Sequence, residues 1–290
     1  MYSLAGLESL SNTLHQLVSR SGLEVAGQSL ADRKFAYNRW LAMIQDPIAS
    51  IVSSRPQFVL DPSLEGRLLA AFMEDSADQQ LGQITTTVVE EAVKRRCERE
   101  VYRQLESASA ARAMLHDVEP DWGSLFDLIV NMLFCAAVPR NRGGSSARAV
   151  GVVWMNLPIE CQTEDVVEFL VHEMTHHAIF LDGLHYGHYL PGAAKTTAKS
   201  AIRGVARPLP CVLDSLLVGA EILSLRSRCL GEPQDPVLHP PTDVLVDGCV
   251  DAAISLLELP VETLLTPRGL ELFERAVWLL RTGKGVVGGV

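Results

Sequence analysis

Two histidines and a glutamate pose the chemical question: Val171-His172-Glu173-Met174-Thr175-His176-His177 contains an H-E-x-x-H pattern. On an α-helix, positions four apart differ by about 40° in azimuth, so His172 and His176 project from one face. Imidazoles held in that way can grip one divalent metal ion at about 2.0–2.1 Å. Glu173 falls about 100° further round, near such an ion but off the shared coordination face. In zinc peptidases with this pattern that position belongs to the general base. The five-letter pattern by itself also fits a pair of solvated surface histidines. Its flanks argue otherwise, because Val166-Val167-Glu168-Phe169-Leu170-Val171 before it and Ala178-Ile179-Phe180-Leu181 after it are mostly apolar. Imidazoles on so buried a helix need partners, and a metal ion is one partner that serves both.

A grip by two histidines needs a third ligand. Asp182 stands six residues after His176, as in metzincin-type motifs, but Ile179 occupies the position where such a motif needs glycine to turn the chain. Asp182 therefore reads better as a helix-end acid. His185 and His188 lie in a turn-rich loop, and His177 points off the His172/His176 face. The segment from Cys211 to Leu223 is apolar nearly all round, which marks a buried helix. It carries Asp214 and Glu221 on one stripe, and a buried carboxylate is costly unless it is paired or ligates a cation. Asp214 would complete a set of two histidines and one carboxylate, suited to iron(II) oxygenases. Glu221 would complete the His, His, Glu set of thermolysin-like zinc peptidases. Pairing of an acid with Arg203, Arg207 or Arg226 is the third possibility, and position alone leaves all of these open.

The elements that must position these residues are mostly helical. Apolar spacing predicts helices over Leu4–Val18, over Ala31–Ile44 with Phe35, Trp40 and Met43 inward, and from Ser63 to about Met73. Pro47 ends or bends the second. A long helix is expected from about Asp78 to Leu115, its alternating charges forming a solvated face, and another over Trp122–Ala137. Pro139 to Ser146 is the clearest break, read as a connector or surface loop, and it divides an N-terminal lobe (1–138) from a lobe over 147–284. Arg148–Leu157 is the single strong strand signal. The metal-pair helix follows, starting at Thr163 with Glu164 and Asp165 in its first turn and ending near Asp182-Gly183. The expected class is mainly α (α+β): a helical N-terminal lobe, then a zincin-like lobe with a small sheet and the HExxH helix.

Composition narrows the function. A formal net charge of −10 argues against a nucleic-acid backbone as partner, which needs clustered Lys and Arg. Six single cysteines with no C-x-x-C pair suit reduced thiols. No apolar window approaches the roughly 20 residues needed to span a membrane, and the first 18 residues lack a secretory pattern. The expectation is a soluble cytoplasmic protein with no membrane partner, its oligomeric state open.

The segment Ser200-Ala201-Ile202-Arg203-Gly204-Val205-Ala206-Arg207-Pro208-Leu209-Pro210-Cys211-Val212-Leu213-Asp214 resembles the second signature of HExxH-type 2-oxoglutarate-dependent peptide β-hydroxylases. That signature runs Ser, Arg three residues on, Arg-Pro-Leu after a short gap, then Leu and a third ligand. The family's third ligand is usually histidine; this chain has Asp214. The resemblance spans about Arg148 to Leu225. It implies iron(II) held by His172, His176 and Asp214, with 2-oxoglutarate as co-substrate. It also implies a guanidinium, Arg207 or Arg203, on the co-substrate's distal carboxylate. Glu173 would then orient a ligand or water. The implied activity is a dioxygenase that hydroxylates a carbon, a β-carbon foremost, of a peptide or carrier-bound amino acid in natural-product biosynthesis. The alternative is a zinc metallopeptidase with His172, His176 and Glu221 as ligands and Glu173 as base.

Overall fold

The computed structural model describes residues 6–45 except 26 and 28, then 53–73, 95–138 and 141–283. Within these the chain is mainly helical around a small sheet. Helices α1 (Leu7–Arg20), α2 (Leu30–Ile44) and α3 (Pro62–Met73) follow the apolar spacing of the sequence. Trp40 is buried as expected, but Phe35 and Met43 are more than half exposed. In their place Lys34, Tyr37 and Asn38 are buried. Lys34 donates from Nζ to the carbonyls of Leu128 and Val130 at 3.0 Å each and to Asn131 Oδ1. The first part of the long helix expected from Asp78, and Pro47, lie outside the described residues. Helix α4 (Glu98–Val118) covers the remainder.

The stretch expected as one helix from Trp122 to Ala137 divides. Helix α5 (Pro120–Ile129) ends at Val130, and Met132–Cys135 forms a strand, β2. A short, wholly apolar run carries no period that separates helix from buried strand. Here all four residues of β2 are buried, as in a strand covered on both faces. The sheet order is β1 (Gln57–Phe58), β2, β4 (Val152–Met155), β3 (Gly143–Ser145). β1, β2 and β4 run parallel, with Met132 opposite Val152 and Cys135 opposite Met155. β3 is the antiparallel edge, with Ser145 opposite Val153. Part of the expected break is thus an edge strand, and strands from both sides of it pair in one sheet.

Helix α6 (Thr163–Tyr186) carries the H-E-x-x-H pattern and continues past Gly183. It is buried on nearly every face and packs against α1, α4, α5, β3 and helix α7 (Leu209–Leu225). The two glycines of β3 allow that strand to lie close. A Cβ on Gly143 would come within 2.5 Å of the Phe169 ring on α6, and one on Gly144 within 2.8 Å of Trp154 Nε1. Between α6 and α7, β5 (Thr197–Lys199) and β6 (Ala206–Pro208) form an antiparallel hairpin with Ala198 opposite Arg207. Gly204, at φ 65°, closes its turn, and its N–H donates to Ser200 O at 2.9 Å. Helices α8 (Thr242–Leu257) and α9 (Pro267–Gly283) pack on α7. No helix among the described residues is long and apolar enough to cross a membrane.

Candidate metal centre

The helical pitch of α6 brings the two imidazoles together. His172 Nε2 and His176 Nε2 are 3.2 Å apart, with ring centroids at 4.9 Å. Two nitrogens bound to one ion at about 2.1 Å, subtending 90–109°, stand about 3.0–3.4 Å apart. The observed spacing falls inside that range. Burial pushes His172 well below the ordinary imidazole range, with His176, His239 and Arg203 adding to the shift. His172 is therefore held neutral, the form that ligates a metal.

Behind His172 lies a chain of polar side chains. His172 Nδ1 is 2.9 Å from His239 Nε2, and the two ring planes are only 27° apart, as an in-plane hydrogen bond between them requires. His239 Nδ1 lies 3.2 Å from Glu168 Oε2, an electrostatic contact rather than an aligned hydrogen bond. Arg226 donates to both Glu168 oxygens, Nε to Oε1 at 2.6 Å and Nη2 to Oε2 at 2.8 Å. Its Nη1 donates to Pro240 O and Thr242 Oγ1 at 2.9 and 3.1 Å. Arg226 and Glu168 are 1% and 2% exposed, so both charges depend on one another. Glu168 precedes His172 by four residues and shares its face, a spacing that could have singled it out. His239 has no local signal.

Glu173 stands beside His172. Its Oε1 lies 4.0 Å from His172 Nε2, and its Oε2 is buried without a hydrogen-bond partner. Burial pushes the carboxyl up to about 7, against a smaller opposing pull from the Ser145 hydroxyl on β3. A buried carboxyl with one unpartnered oxygen and the other 4.0 Å from His172 Nε2 fits a site that takes a divalent ion or its bound water.

The third ligand is another matter. Tyr189 Oη donates to Asp214 Oδ1 at 3.1 Å. Burial lifts the Asp214 carboxyl to about 6, opposed by the Tyr189 bond and by the charges of His188 and Arg207. Among the described residues, no three His, Cys, Asp or Glu side chains gather closely enough to hold an ion. The expected set of His172, His176 and Asp214 is therefore brought together only in its first two members. Glu221 is fully buried in α7. Arg226, one of the partners considered for these acids, is engaged with Glu168.

The two arginines separate. Arg203, in the exposed turn of the β5–β6 hairpin, is the one whose charge acts on His172. Arg207, on β6, acts on Asp214. His177 leaves the site: it accepts from Gly151 N–H at 3.4 Å on Nδ1 and bonds Val152 O at 3.2 Å through Nε2. Asp182 is the acid of a separate cluster, bonded to His188 Nε2 at 2.7 Å and bidentately by Arg268. No protein-family model and no curated protein matches the chain.

Proposed function

We propose that this chain is a metal-dependent oxygenase in which His172 and His176 hold iron(II) and 2-oxoglutarate serves as co-substrate. The observation that carries the reading is the 3.2 Å separation of the two Nε2 atoms, with His172 held neutral and within reach of the Arg203 charge. When bound, iron(II) and 2-oxoglutarate supply the chemistry: with dioxygen, the co-substrate becomes succinate and CO2 while a substrate C–H becomes C–OH. The protein's part is to bind and orient. Arg203, whose charge acts on His172, and Arg207, whose charge acts on Asp214, are the two cations for the co-substrate's distal carboxylate. Glu173 orients a water or ligand beside the ion. The substrate is a peptide or a carrier-bound amino acid, hydroxylated at a β-carbon. A zincin-like arrangement is supported by the antiparallel edge strand β3 lying against the metal-pair helix.

The test is succinate release from 2-oxoglutarate, using anaerobically prepared protein exposed to oxygen with iron(II) or zinc(II). Iron-dependent release, abolished in His172→Ala and lowered at least about tenfold in Arg203→Ala, is the expected result. A second reading has its own observation: the Glu173 carboxyl at about 7, suited to a base at neutral pH. Peptide cleavage with zinc, lost in Glu173→Gln and without succinate, would replace the oxygenase by a zinc peptidase.

A further inference from the structure

We infer that His239 is a positioning residue that selects the metal-ligating tautomer of His172, as the middle member of a Glu168–His239–His172 relay. The inference rests on the metal reading above and concerns only this chain's own atoms. Arg226 keeps Glu168 ionised, and the ring nitrogen facing that carboxylate at 3.2 Å, Nδ1 of His239, must carry hydrogen or meet lone pair with lone pair. An imidazole whose one hydrogen sits on Nδ1 presents Nε2 as an acceptor. His172 Nδ1, 2.9 Å away, is the donor to it. The lone pair of neutral His172 is thereby left on Nε2, the nitrogen 3.2 Å from His176 Nε2.

His239 does not itself join the pair as a third ligand. The two nitrogens of an imidazole diverge, so a group bonded at His172 Nδ1 cannot share an ion held at Nε2. Three features suggest a fixed device rather than a passing contact. The relay's first two members are buried, with His239 7% exposed and Glu168 2%. Its two imidazole planes are 27° apart, close to the coplanarity that an in-plane N–H···N bond requires. The guanidinium behind it also binds Pro240 O, next to His239, and so anchors the loop that delivers the histidine.

The experiment uses the full chain and two readouts that do not need turnover. Nitrogen-15 spectra of histidine-labelled, metal-free protein report the tautomer of His172. Equilibrium dialysis against cobalt(II) reports affinity for wild type, His239→Leu and His239→Gln, whose amide oxygen can still accept from Nδ1. Expected are an Nδ1–H tautomer at His172, affinity about 10–100-fold weaker in His239→Leu, and partial recovery in His239→Gln. Circular dichroism checks that both variants fold; should His239→Leu not fold, the wild-type tautomer and His239→Gln decide. An Nε2–H tautomer in wild type, or cobalt affinity equal in wild type and His239→Leu, overturns the relay while leaving the metal pair standing. Absence of cobalt binding by wild type overturns both.

Discussion

The same three-part device sits at both ends of helix α6. Near its start Glu168 is gripped by Arg226 and touched by His239; near its end Asp182 is gripped by Arg268 and bonded to His188. What differs is where the histidine leads. His239 continues to His172 and so to the candidate metal pair. His188 belongs to a tether: its carbonyl accepts from Thr266 N–H at 3.0 Å, and the adjacent Tyr189 bridges to Leu265. Burial differs too, with Arg226 at 1% exposed against 17% for Arg268. Similar side-chain chemistry therefore backs the candidate metal pair in one place and fastens a loop in the other. The second face of the histidine decides which.

That contrast can be broken by experiment. Arg226→Met leaves the Glu168 charge buried and unpaired, so a loss of about 3–5 kcal/mol is expected in urea denaturation, together with weakened metal binding. Asp182→Ala strands a partly solvated arginine and removes the tether, for an expected loss of about 1–3 kcal/mol with cobalt affinity unchanged. Equal costs for the two would defeat the burial argument, and a change in cobalt affinity on Asp182→Ala would defeat the division of roles.

The pH dependence of the metal-free protein sharpens the comparison further. In Glu168, burial alone would raise the carboxyl, but the bonds from Arg226 and the His239 ring 3.2 Å away outweigh it and hold the carboxyl below its ordinary 4.5. Asp182 is likewise held below 3.8, burial being outweighed by His188 and Arg268. Both clusters therefore add stability above those ordinary values that is lost as pH falls through the lowered ones. Glu173 has the opposite sign: raised from 4.5 to about 7, it binds extra protons in the folded state across that window, so stability falls as pH rises through it. Glu173→Gln should flatten the urea midpoint between pH 4.5 and about 7 and raise stability at pH 8 by on the order of 1–2 kcal/mol. An unchanged profile would mean that the carboxyl is solvated. The smallest effect is expected at a third cluster of this type, Asp127 with Arg112 and His116, where the acid and arginine are 19% and 24% exposed. Asp127→Asn should cost about 0.5–1 kcal/mol by thermal unfolding.

Much of the fold was legible in local pattern. The helices around Leu10, Trp40 and Leu170 announce themselves by apolar spacing, and the Arg148–Leu157 signal contains β4. Strand β2 was not legible, because Met132-Leu133-Phe134-Cys135 is apolar without period and only its neighbours Val152–Met155 make it a strand. Phe35 and Met43 face outward because Lys34 and Tyr37 take the inner face, Lys34 satisfying two carbonyls at the end of α5. Periodicity counts apolar side chains and does not see such a polar contact.

The sequence by itself determined that His172 and His176 share a face and that Glu173 stands beside them, since four-residue spacing on a helix needs no other part of the chain. It also marked the Ser200–Asp214 segment and its two arginines. Only the tertiary structure decided that Arg203 acts on His172 while Arg207 acts on Asp214, that Asp214 is bonded by Tyr189, and that His239 arrives from 67 residues away to stand behind the pair. Helical geometry is set by residues within a turn of one another. The partner of a buried charge is set by which distant helices pack together, and no local pattern records that.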